Sequence, residues 1–185
     1  MRRGLQGLAK LQIIERGFLP NFIFAENDLV VTIGIDGLVV NTAKYLSGQP
    51  LVAVNPDPAH VDGILLPFDV AAAPAVVRKA LKGQMTSRLI TMAEATLNVG
   101  QKLMAFNDFF VGVRTHISAR YTIRFGQSEE HHSSSGIIVS TGVGSTGWLS
   151  SLFNMVDGMA LRFAESGARL ERPALNWEAD QLVFV

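Results

Sequence analysis

The stretch Asp28–Leu46, DLVVTIGIDGLVVNTAKYL, constrains the fold more than any other part of the chain. Leu29–Ile33 is rich in β-branched residues, the composition of a parallel strand buried on both faces. Gly34-Ile35-Asp36-Gly37 breaks the run. Beyond it Val39, Ala43 and Leu46 recur at i, i+4 and i+7, one face of a helix. A strand, a glycine turn and a helix in that order form the α/β unit that presents backbone N–H groups and a helix dipole to phosphates. An aspartate in such a turn is chemically pointed, because anion-cradling loops avoid negative charge. Asp36 is either a cap on the following helix or a base aimed at a hydroxyl. Local spacing alone favours the cap.

A second run rich in glycine and hydroxyls lies far downstream, Ser133–Trp148, SSSGIIVSTGVGSTGW, with Asn107-Asp108 between the two. With these three stretches the chain resembles the NAD kinase family, within the larger group that includes diacylglycerol and sphingosine kinases. The family's G-G-D-G-T motif reads here Gly34-Ile35-Asp36-Gly37-Leu38. Its Asn-Glu or Asn-Asp pair after a strand is matched by Ala105-Phe106-Asn107-Asp108. Its Gly-x-x-V-S-T-x-x-G-S-T-A-Y run is matched from Gly136 through Trp148, with tryptophan in place of tyrosine. Order and rough spacing agree from Asp28 to Trp148. Val54-Asn55-Pro56-Asp57-Pro58 and Ser134-Ser135-Gly136 look closer to the mitochondrial-type branch.

The rest of the chain reads in order. Leu5, Leu8, Leu11 and Ile14 suggest an amphipathic helix over Leu5–Arg16 ended by Gly17, and Phe18–Phe24 a loop broken by Pro20-Asn21. Leu51–Val54 is a second short strand, stopped by two prolines. Pro74–Lys82 has helical spacing with Gly83 as its stop. From Arg88 the texture turns to strands: Arg88–Met92, Lys102–Phe106, a clean alternation over Ala119–Phe125, Ile137–Ser140 and Gln181–Val185. Trp148–Ser166 carries an apolar helical stripe ended by Gly167. The change of texture near residues 83–87 sets an α/β unit before a mainly β unit, and the predicted boundary divides the chain into 1–85 and 86–185.

Composition excludes several classes. Lys+Arg and Asp+Glu both number 16, so no charge excess points to a nucleic-acid partner. With no cysteine, disulfides, thiol nucleophiles and thiolate metal sites are absent together. No apolar run approaches the ~20 residues of a membrane span, and nothing near Arg2-Arg3 reads as a signal peptide. The plain expectation is a soluble cytoplasmic protein. His131-His132, after Glu129-Glu130, reads as a solvated turn rather than a metal site. Arg120 and Arg124 read as a solvated strand face.

The resemblance implies more. It implies a Rossmann-like N-terminal domain and a β-rich, NAD-binding C-terminal domain, with the active site in the crevice between them. Because that β domain usually continues for several strands, the sequence reads as truncated at its C-terminus. The implied reaction takes the terminal phosphate of ATP to the 2′-hydroxyl of NAD, with Mg²⁺ carried by the nucleotide phosphates. Asp36 becomes the base, and Gly34 and Gly37 let backbone approach phosphate oxygens. Asn55 falls in a substrate-lining loop, or simply in a proline-stiffened turn. Asn107 and Asp108 contact a ribose diol, where unaided they would read as a polar strand end. Thr141, Gly144, Ser145 and Thr146 present bare backbone to a phosphate or a nicotinamide carboxamide; the alternative for the last two hydroxyls is a cap on the next helix. Ile35 and Leu38 depart from the family at the donor-phosphate cradle. Two alternatives stay open: a catalytically weak or inactive dinucleotide-binding relative, and a kinase for a lipid or sugar hydroxyl. The short β unit with an apolar end also predicts a homo-oligomer.

Overall fold

Gly7 takes a φ of +85°, and the first helix, α1 (Arg2–Leu5), ends after one turn. The computed structural model describes residues 1–163, 172 and 175–185. The helix expected through Arg16 does not form. Of its apolar stripe Leu5 is buried and Leu8 and Ile14 are half-buried, while Leu11 faces solvent, so packing offers little to offset two helix-weakening glycines. A 3₁₀ helix instead occupies Arg16–Asn21, where a loop was expected.

The chain divides into two units, Met1–Arg88 and Leu89–Val185. In the first, β1 (Val30–Ile33) leads through α2 (Asp36–Ala43) to β2 (Leu51–Asn55). The unexpected two-residue β3 (Phe68–Asp69) and then α3 (Ala73–Leu81) follow. The three strands form a parallel sheet in the order β1-β2-β3, with Val30 opposite Leu51 and Val54 opposite Phe68. Alternation along β2 explains why LVAVN is apolar throughout. Val52 and Val54 pack with Leu5, Ala73 and Val77, whereas Ala53 packs with Val39 and Leu66. Both faces of the central strand are covered.

Two helix ends follow local rules. α3 stops at a left-handed Gly83, whose N–H donates to Ala80 O while Gln84 N–H donates to Lys79 O. α2 stops at Ala43, short of Leu46, so its buried residues are Val39 and Thr42 rather than the expected Val39, Ala43 and Leu46 face. Thr42 Oγ1 donates to Leu38 O at 2.8 Å, and its hydroxyl is satisfied without leaving the helix.

The second unit begins with a hairpin of β4 (Ala93–Thr96) and β5 (Lys102–Ala105), then β6 (Asp108–Gly112). A second hairpin pairs β7 (Ala119–Phe125) with β8 (Ser128–Ser134), and β9 (Gly136–Ser140) follows. After α4 (Trp148–Phe163) comes β10 (Val183–Phe184), and the main sheet is antiparallel in the order β10-β9-β6. The strand expected over Arg88–Met92 begins instead at Ala93. Thr91 N–H donates to Trp177 O, outside any ladder. His131 and His132 lie inside β8, not in a turn; the turn is at Gly126, with φ +59°. The helix end expected at Gly167 lies outside the described residues. Among those described, no helix is long and apolar enough to cross a membrane.

Candidate functional site

In the first unit the end of β1 and the start of α2 place the Gly34–Leu38 turn. Ile35 occupies the N-cap position and makes no side-chain cap bond. Asp36 is the first helical residue, so the cap reading fails. Its Oδ1 accepts a hydrogen bond from Leu65 N–H at 2.9 Å, across 29 residues of sequence. The other carboxylate oxygen is in no such bond, and the charge sits favourably at a helix N-terminus. Gly37 is exposed. Over Gly34 there is little room: a Cβ there would lie 3.0 Å from Leu38 Cδ2. Leu38 therefore covers the backbone that a phosphate would approach.

Asn55, buried at the end of β2, commits both ends of its amide to the loop that follows. Nδ2 donates to Val61 O at 2.8 Å and Oδ1 accepts from Asp57 N–H at 2.9 Å. Gly63 closes against it with φ +61°, and a Cβ there would be 2.8 Å from Asn55 Nδ2. Asp36 and Asn55 thus hold the two ends of one loop, which the sequence offered as either a substrate-lining loop or a proline-stiffened turn.

In the second unit a knot joins the Asn107 bend to the glycine run. Thr141, 1% exposed, takes Asn107 O on its N–H at 2.8 Å. Its hydroxyl shares one proton between Phe106 O at 2.7 Å and Asn107 O at 3.0 Å, and accepts from Gly144 N–H at 3.1 Å. A Cβ on Gly144 would collide with Asn107 O and lie 2.6 Å from Ser140 Oγ. Only glycine allows that approach.

At Gly144, Ser145 and Thr146 the turn does not offer the bare N–H groups expected there. Gly144 N–H is used by Thr141 Oγ1, Ser145 N–H by Thr141 O, Thr146 N–H by Val143 O and Gly147 N–H by Gly144 O. Nor do the hydroxyls cap α4. Ser145 Oγ donates to Gly142 O at 2.6 Å and Thr146 Oγ1 to Val143 O at 2.9 Å. With their protons committed, both hydroxyls keep only acceptor capacity. Asn107 Oδ1 is buried without a partner. Asp108 opens β6 opposite Ser140, and burial pushes its carboxyl pKa up from the ordinary value. Four groups on the second unit thus keep acceptor capacity: Asn107 Oδ1, which is buried, and Asp108, Ser145 and Thr146. Such a set suits a ligand that presents hydroxyl and amide protons.

One neighbour escaped the sequence reading. Phe110 on β6 stacks against Trp148, with centroids 5.6 Å apart. The signal was the pairing of two glycines, Gly112 with Gly136, beside an aromatic residue. Elsewhere the polar groups satisfy one another: Arg124 pairs with Glu129, and His132 with Glu130, on exposed strands. Among the described residues no three carboxylates or imidazoles converge on a cation position. A hollow of about 390 Å³ beside Arg2, Gln6 and Leu11 holds none of the residues singled out by motif.

No family model matches the chain. Two curated NAD kinases from strains of Clostridium kluyveri are 27% identical over 129 residues, which cover 65% of this chain and 44% of theirs. The chain thus spans less than half the length of these relatives. Among solved structures, yeast NADH kinase complexed with NADH superposes with a TM-score of 0.56 at 20% identity, over 68% of this chain and 39% of that one. An NAD kinase from Archaeoglobus fulgidus in complex with ATP gives 0.59 at 18% identity, over 91% of this chain and 57% of that one. Both likenesses are of fold.

Proposed function

The chain is NAD kinase-like in sequence and fold, and on that premise we propose that it serves phosphoryl transfer from ATP to the 2′-hydroxyl of NAD, giving NADP. The first unit acts as a Rossmann-like α/β domain and the second as the dinucleotide-binding domain. The observation that carries the reading is the acceptor set on the second unit. Asn107 and Asp108 take ribose hydroxyl protons, while Ser145 and Thr146, held by Thr141 and Gly144, accept from the nicotinamide carboxamide. Asp36 keeps one carboxylate oxygen outside its bond to Leu65. That oxygen accepts the 2′-hydroxyl proton as the ribose oxygen bonds to the γ-phosphorus. The bond from that phosphorus to the β,γ-bridging oxygen breaks, and ADP leaves. Gly34 and Gly37 border the donor phosphates, and Asn55 holds the adjoining loop. Mg²⁺ enters with the ATP phosphates as part of the substrate. The working form is a homo-oligomer.

A specific observation favours a second reading, a dinucleotide-binding relative with weak catalysis. Leu38 lies over Gly34 where a phosphate would come. Calorimetry with NAD, followed by a coupled NADP assay with ATP and Mg²⁺, separates the two. Binding with turnover supports the kinase, and binding without turnover supports the second reading. No NAD binding at millimolar concentration removes both.

A further inference from the structure

Phe110 takes no part in the acceptor set, yet the backbone is shaped around it. It is 45% exposed, and Trp148, which it stacks against with planes 29° apart, is 47% exposed. A half-exposed phenylalanine has little burial to fix its ring. Here two glycines do so. Gly112 and Gly136 face each other across β6 and β9, and the Phe110 ring lies against both. A Cβ on Gly112 would meet ring carbons at 2.6 and 2.8 Å, and one on Gly136 a ring carbon at 3.0 Å. Gly136 also has φ +140°, which side-chain-bearing residues rarely adopt. The indole seated on this ring follows directly after Gly147. A Cβ on Gly147 would lie 3.9 Å from Asn107 Nδ2, so the aromatic pair begins where the acceptor set ends. A ring held in advance loses less freedom when a base stacks on it.

We propose that Phe110 is a positioning residue for base recognition. Seated on Gly112 and Gly136, it fixes the tilt of Trp148, and the exposed part of the indole receives the aromatic base of a nucleotide whose ribose meets Asn107 and Asp108. The proposal rests on the nucleotide-binding reading of this site, and not on phosphoryl transfer.

The chain has two tryptophans, so the test uses a Trp177→Phe background in which Trp148 is the sole indole. Near-ultraviolet circular dichroism reads its orientation, and fluorescence is followed on adding NAD, AMP or ribose 5-phosphate. NAD and AMP are expected to quench it, and ribose 5-phosphate, which has no base, is not. Phe110→Leu should flatten the dichroism before any ligand is added and weaken NAD binding about three- to tenfold, the worth of one aromatic pair. Phe110→Tyr should restore both. If the leucine variant melts early, Phe110→Met is read in its place. Unchanged dichroism and affinity in the non-aromatic variant overturn the proposal, as does the absence of quenching by NAD and AMP. Quenching with no NADP formed would end the kinase reading and leave this one standing. NADP formation with an unaffected leucine variant would do the reverse.

Discussion

At Asp108 the proposed binding role and a stability cost meet in one side chain. Burial raises its pKa, so the folded chain holds this proton more tightly than the unfolded chain does. The group's contribution to stability is therefore full below the unfolded value of about 3.9 and is lost as pH rises through the folded value. Asp108→Asn keeps the size and removes the charge. It should leave neutral-pH stability unchanged or slightly raised and flatten the decline in melting temperature just above about pH 4. It should also weaken NAD binding by about 1–3 kcal/mol. Asn107→Ala should cost similar affinity with little change in melting temperature, because the Oδ1 it removes has no partner. A falling melting temperature with unchanged affinity would instead make the pair a structural bend. Thr141→Val tests the knot. It keeps the shape but strands Gly144 N–H in a buried place, and urea titration should register a loss of about 1–3 kcal/mol.

At the scale of elements, the turn between β1 and α2 departs at two side chains from the motif of the NAD kinase family it resembles. A β-branched Ile35 resists the left-handed conformations a glycine would permit, and Leu38 brings bulk where the family has a hydroxyl. Leu38 Cδ2 stands over Gly34. Ile35→Gly with Leu38→Thr should therefore raise ATP-dependent NADP formation about ten- to a hundredfold, or about 1.4–2.7 kcal/mol of barrier. Adding Asp36→Asn should abolish the gain while NAD still binds. Brisk turnover by the unaltered protein would show that the turn accepts both residues. Strand-turn-helix was legible here because β1, the turn and α2 are local in sequence. What the sequence could not reveal was non-local. Leu65 claims Asp36 from 29 residues away, and Thr141 ties the glycine run to Asn107, while the turn's own oxygens take the N–H groups of Gly144, Ser145 and Thr146. The first helix failed for a related reason: Leu5 and Leu8 reach the core, but Leu11 at the next turn faces solvent. β6 was missed because the Asn-Asp bend reads as an ending, while β9 makes it a beginning.

Across the whole molecule, apolar surface and charge point the same way. Met155, Met159, Leu161 and Phe163 along α4 are exposed, as are Leu182, Phe184 and Val185 near β10. Of the stripe predicted for α4, Leu149 is buried and Leu152, Phe153 and Ala160 are half-buried, while Val156 and Phe163 are exposed. Nothing in the overall charge keeps copies apart, since the formal net charge is zero and the pI about 6.9. Several large exposed apolar side chains on a neutral chain favour association over a dispersed monomer. At neutral pH, light scattering should give one defined multiple of the 20.0 kDa chain mass, and the melting temperature should rise with protein concentration as mass action requires. Met159→Glu with Leu161→Glu places two like charges on the exposed helix face. This double change should shift the mass toward monomer and remove the concentration dependence, while NAD binding on the second unit persists. A single monomeric mass at hundred-micromolar concentration would overturn the homo-oligomer. A mass that grows without limit would mean open-ended aggregation, not a closed interface.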